Sequence, residues 1–241
     1  MKHNIAKFAA LAGITFLAGC GAPAGPGTFV HDPYQQTNRA MHEVNKTVDT
    51  ALLRPAAQVY DAATPTLVKH LTSNVLDMLD LPGDAANHFL QGNVMASLRT
   101  VGRLGLNIVM GAGVLDPATE MGLPKEDTDF GMTLASLGVN EGAYLEVPFL
   151  GPMTERGLAG RILDSALNPL SYVSGIPAGV GAASTGVGVV VARHKYFDAI
   201  DRIYYESEDG YIAARTTYLQ LRRRAVAGEA TAESLPDVFA E

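Results

Sequence analysis

The run Asp84-Ala-Ala-Asn-His-Phe-Leu-Gln-Gly-Asn-Val-Met-Ala-Ser-Leu-Arg-Thr-Val-Gly-Arg-Leu-Gly-Leu-Asn-Ile-Val-Met110 decides the fold class. Phe89, Leu90, Val94, Leu98 and Val101 lead into the apolar stretch Leu104 to Met110, and Asp84 suits a helix N-cap. After Asp84 only Arg99 and Arg103 carry charge, so this helix is too apolar for a water-facing surface. Yet Asn87, Gln91, Asn93 and Asn107 interrupt it with polar groups that need partners.

Outward from this run, most segments also read as helices. Thr64-Pro65 is a helix start, followed by Leu67, Leu71, Val75 and Met78 on one apolar face, and Leu81-Pro82-Gly83 is expected to end it. Before that, Asn38 to Leu53 is helical, with a break expected at Arg54-Pro55. Beyond Met110 the chain turns repeatedly through Asp116-Pro117 and Leu123-Pro124, with Gly111 and Gly113 as a candidate hinge. Residues 143–152 alternate and reach Gly151-Pro152, the pattern of a short β-hairpin. Helices resume over Arg193 to Tyr205 and Asp209 to Arg224. In the last, Tyr211, Arg215, Tyr218 and Arg222 share a face that suits either a headgroup boundary or a stacked, exposed surface. The fold class is mainly α.

The N-terminus has its own logic. Lys2 and Lys7 precede the apolar segment Phe8 to Leu17, which is too short to span a bilayer, and Leu17-Ala18-Gly19-Cys20 follows. Small residues before the chain's one cysteine match a bacterial lipobox, so residues 1–19 read as a lipoprotein signal and Cys20 as the lipid attachment site. Three acyl tails there would anchor the chain permanently. With Gly21 after the cysteine, where Asp is the usual inner-membrane retention signal, the outer membrane is the expected address. Residues 20–31 form the acylated cysteine and a Pro/Gly tether, 32–225 a single helical domain, and the acidic segment 226–241 reads as disordered.

Composition narrows the function. Losing Lys2 and Lys7 would take the formal net charge from -7 to -9, which argues against a nucleic-acid partner. The uncharged stretch Ser165 to Ala192 contains Asn168, Pro169 and Pro177 and is a poor spanning helix; it reads as a small-residue helix packed on a neighbour or lying within one leaflet. There is no nucleophile elbow, zinc-binding His pair or phosphate-binding loop, and Gly179 to Ser184 only imitates a dinucleotide fingerprint. The five histidines from His31 onward show no metal-ligand spacing, so neither a metal nor a cofactor is expected beyond the lipid on Cys20.

Several segments in series resemble the MlaA (VacJ) family of outer-membrane lipoproteins. They are Asp32-Pro33-Tyr34 with Asn38-Arg39, Leu53-Arg54-Pro55, His88 to Gly92, Asp129 to Leu134, Gly138-Val139, Gly142 with Tyr144, Val147 to Phe149, Gly151-Pro152, and Asp209 with Tyr211, Arg215, Tyr218 and Gln220. The resemblance implies a ring of amphipathic helices in the inner leaflet of the outer membrane around a polar channel. Through it, mislocalised phospholipids would pass to a periplasmic lipid-carrier protein, with a trimeric outer-membrane porin as partner and no covalent chemistry. Arg99, Arg103 and Asn107 are then candidate headgroup contacts in the lumen. The alternative is a porin-associated scaffold without a conduit.

Overall fold

The computed structural model describes residues 30–167 and 180–228. The signal, Cys20, most of the tether, the centre of the Ser165 to Ala192 stretch, the start of the Gly179 to Ser184 motif and the tail beyond Gly228 lie outside the described residues.

Helices α1 (Gln35–Val48) and α2 (Arg54–Ala63) are joined by a π-helical turn, Asp49–Leu53, so the chain does not break at Arg54-Pro55. The wider turn closes with Arg54 N–H on Asp49 O, which brings Pro55 into the first turn of α2, where its missing N–H costs nothing. α3 (Thr66–Leu90) follows, and it runs straight through Leu81-Pro82-Gly83 rather than stopping there. Leu81 is buried on one side of Pro82, and Asp84, Asn87 and His88 on the other, so tertiary contacts hold the helix past its proline. The real break comes at Gln91-Gly92-Asn93, where Gly92 adopts φ +78° and the Asn93 side chain accepts Ala96 N–H to start α4 (Val94–Val109). The opening run is therefore two helices, and α3 packs along α4.

A turn at 110–116 leads to the short α5 (Pro117–Glu120), capped by Asp116, then to an extended strap over 121–129 and to α6 (Phe130–Ser136), capped by Asp129. The hairpin expected at 143–152 is present as β1 (Tyr144–Val147) and β2 (Gly151–Thr154), antiparallel with Tyr144 opposite Thr154 and Val147 opposite Gly151. Phe149 at its tip takes φ +65°. α7 (Glu155–Leu167) crosses α6 so closely that a Cβ on Gly160 would lie 2.3 Å from Gly131 N, which requires glycine at 160. After α8 (Val180–Lys195) come α9 (Phe197–Asp201), a second π turn (Arg202–Glu206) and α10 (Gly210–Ala227), which Asp209 caps and Gly228 ends in a left-handed turn.

The Tyr/Arg stripe of α10 faces inward, at neither a headgroup boundary nor an open surface. Tyr211 is 2% exposed and donates to Asp32, Arg215 pairs with the same carboxylate, and Arg222 pairs with Asp129. Carboxylates from distant segments turn that face toward the protein. The buried apolar cluster is correspondingly small: Tyr144, Tyr211 and Leu219.

Candidate functional site

The described residues bury more polar and charged side chains than apolar ones. α4 makes the point residue by residue. Its inner face carries Ala96, Thr100, Arg103 and Asn107, while Met95, Leu98, Val101, Ile108 and Val109 point outward, the last 82% exposed. α3 adds exposed Leu67, Val68, Phe89 and Leu90, and the hairpin tip adds Phe149 and Leu150. An apolar outside over a polar inside is costly in water and favourable in lipid, where polar pairs, not apolar burial, hold helices together.

The polar groups singled out in the sequence find partners inside. Arg103, 3% exposed, reaches Asp116 at 3.0 Å, Thr119 Oγ1 at 3.0 Å and the carbonyl of Leu123. Asn107 donates to Asp116 at 2.9 Å and accepts Ala118 N–H at 3.2 Å. Burial acts to raise the pKa of Asp116, but the bonds from Thr119, Asn107 and Arg103 outweigh it and hold the carboxyl below its usual range. Arg103 and Asn107 thus bind the 110–120 segment to α4. Arg99, one helical turn earlier, is 54% exposed and among the described residues meets only Glu126, at 3.4 Å. The two arginines do not share an environment. Asn87 donates to Asp164, Gln91 to Thr128 and Thr133, and Asn93 is the α4 cap.

The candidate hinge glycines serve the turn between α4 and α5. A Cβ on Gly111 would sit 2.5 Å from Leu115 O and 2.7 Å from Asn107 O, and Gly113 takes φ +75°, so both positions need glycine.

The strap over 121–129 is held to α3 by charge. Lys125 contacts Asp77 at 3.0 Å, Asp127 at 2.8 Å and Asp80 at 3.6 Å. Burial opposes the Lys125 charge, yet Asp127 and Asp77 overcome this and raise its pKa. Asp84 beneath them is 5% exposed, and burial pushes its pKa up to about 7. Sequence reading missed Asp84 as a buried acid, because a carboxylate before an apolar run looks like an N-cap.

Two further junctions went unread. Asn38 and Asn45 of α1 dock the hairpin: Asn38 donates to Tyr144 O and accepts Glu146 N–H, and Asn45 donates to Glu146 Oε1 and Val147 O and accepts Phe149 N–H at 2.8 Å. Asp49, Arg193, Asp201, Arg54 and Tyr205 tie the two π turns together. Two asparagines seven residues apart on one helical face are a weak signal for the first junction, and no local signal marks the second.

Among the described residues, no cluster of three His, Cys, Asp or Glu could hold a metal, and no helix is long and apolar enough to cross a membrane. The fold and its surface define a membrane-associated helical protein with polar junctions inside. The MlaA lipoprotein family model matches residues 30–225, and the chain belongs to that family. Among its relatives, the intermembrane phospholipid transport system lipoproteins MlaA of Escherichia coli K12 and Shigella flexneri are each 31% identical over 220 residues, covering 89% of this chain and 86% of theirs. An uncharacterised protein of Rickettsia felis is 32% identical over 199 residues, covering 82% of this chain and 78% of its own. A solved structure, from work on the structural basis for maintenance of bacterial outer membrane lipid asymmetry, superposes with TM-score 0.71 at 28% identity, covering 81% of this chain and 98% of that one.

Proposed function

We propose that this chain removes mislocalised phospholipids from the outer leaflet of the outer membrane and passes them inward through a polar channel to a periplasmic lipid carrier. In this reading it is anchored by acylated Cys20, lies in the inner leaflet as a ring of amphipathic helices, and is accompanied by a trimeric porin. The names of the relatives support the pathway. The observation that carries the mechanism is the sidedness of α4, apolar outward and polar inward.

The physical reason is the cost of taking a phosphate through hydrocarbon, several kcal/mol even after relaxation. A polar path removes most of that cost while the acyl chains stay in lipid. No bond is made or broken, and no nucleophile is required. Arg99, exposed beside Glu126, is the residue we assign to meet a headgroup; Arg103 and Asn107 hold the wall through Asp116. The turn containing Gly111 and Gly113 is assigned to controlled opening.

The test is the amount of phospholipid on the surface of intact cells in wild type, a deletion, and the deletion complemented with wild type or Cys20→Ala. Surface phospholipid should rise on deletion and be restored only by the lipidated protein. An unchanged level on deletion would replace the conduit with the scaffold reading.

A further inference from the structure

Arg156 stands in the first turn of α7, directly after β2, and is 7% exposed. Its Nη1 donates to Val139 O at 2.9 Å, its Nε has no hydrogen-bond partner, and among the described residues it forms no ion pair. The two guanidinium groups near it are matched: Arg222 pairs with Asp129 and Arg223 with Glu141. Of these three guanidinium groups, Arg156 alone has no paired carboxylate among the described residues. Burial, and then repulsion from Arg222, push the pKa of Arg156 down. A guanidinium has five N–H donors, and a buried charge with one carbonyl contact is costly until an anion joins it.

There is room for one. Arg156 lines an open cleft of about 320 Å³ with Ala135, Asn140, Glu141, Arg223 and Val226. The cleft is larger than a bare carboxylate needs; Arg223 and Glu141 on its wall are paired with each other, which leaves the Arg156 fork, suited to gripping two oxygens of a tetrahedral oxyanion. Exposed Leu137 ends α6 nearby and Val226 forms part of the wall, so an apolar substituent on the anion also finds contact.

We propose that this cleft is a binding site for a phosphate group, either free or as the phosphodiester of a lipid headgroup, with Arg156 supplying the counter-charge. The site goes beyond the conduit reading and does not rest on it.

Purified full-length protein in nonionic detergent is titrated by calorimetry with inorganic phosphate, glycerol 3-phosphate and dihexanoyl phosphatidylglycerol. Wild type should bind at least one probe saturably. Arg156→Gln should weaken that binding by about tenfold or more, the loss expected for a charge-assisted hydrogen bond. Asn140 is exposed on the rim, so Asn140→Asp keeps the decision open if Arg156→Gln does not fold: an added carboxylate there should also weaken binding. A preference for the lipid probe over both soluble ones identifies the source as a headgroup, and equal affinities identify it as free phosphate. No saturable binding to wild type, or affinity unchanged in the variants, overturns the site.

Discussion

Arg193 and Asp49, separated by 144 residues in the chain, form a bidentate pair in which Nε reaches Oδ1 at 2.7 Å and Nη2 reaches Oδ2 at 3.0 Å, both side chains buried. The pair fastens α8 to the π turn after α1, and Asp201 closes it from the other side. Breaking one partner leaves the other charged and buried. Asp49→Asn should therefore cost about 3–5 kcal/mol, read from denaturation in detergent. A loss well under 1 kcal/mol would mean that water reaches the pair.

The two α4 arginines stand in different settings, and the roles proposed for them, Arg103 in the wall and Arg99 in the path, predict different losses. Arg103→Gln strands Asp116 and should lower stability by about 3 kcal/mol. Arg99→Gln, at an exposed site, should change it by less than about 0.5 kcal/mol while raising surface phospholipid in cells. Denaturation and surface labelling on the same pair of variants check this, and normal lipid distribution with Arg99→Gln removes that residue from the path.

The apolar outside predicts membrane association independent of the acyl anchor. In Cys20→Ala protein, vesicle flotation should persist. Changing Leu98, Val101 and Ile108 to Gln should abolish it, because each buried aliphatic side chain contributes about 2 kcal/mol. Flotation that survives the triple change would place the lipid contact elsewhere.

Asp84 gives a pH dependence. Its folded pKa, about 7, lies above the ordinary 3.8, so the unfolded chain loses this proton first as pH rises. Stability from this group is complete below about pH 4, falls as pH rises, and is lost above about 7, by at most about 4 kcal/mol. Asp84→Asn should flatten the stability curve between those limits. An unchanged slope would assign the dependence to Asp80, whose pKa burial also raises.

Much of the architecture was legible because helix and turn signals are local. The hairpin followed from alternation up to Gly151-Pro152, and the apolar character of α4 from its own residues. The breaks were harder. Pro82 and Pro55 look like stops in a one-dimensional reading, but a buried face after Pro82 and a π turn before Pro55 override them. The polar residues in α3 and α4 were visible as anomalies, whereas their partners Asp116, Asp164 and Thr133 came from other segments. The inward turn of Tyr211 and Arg215 was hidden for the same reason, since Asp32 lies 179 and 183 residues away.

A protein with Leu98, Val109 and Phe149 on its exterior has a transit problem. Its folded form is at ease only once it reaches lipid, so every aqueous compartment it crosses must supply a cover for those side chains. On the outer-membrane reading proposed above, delivery would therefore call for an escort with an apolar surface of its own, released only when the bilayer takes its place.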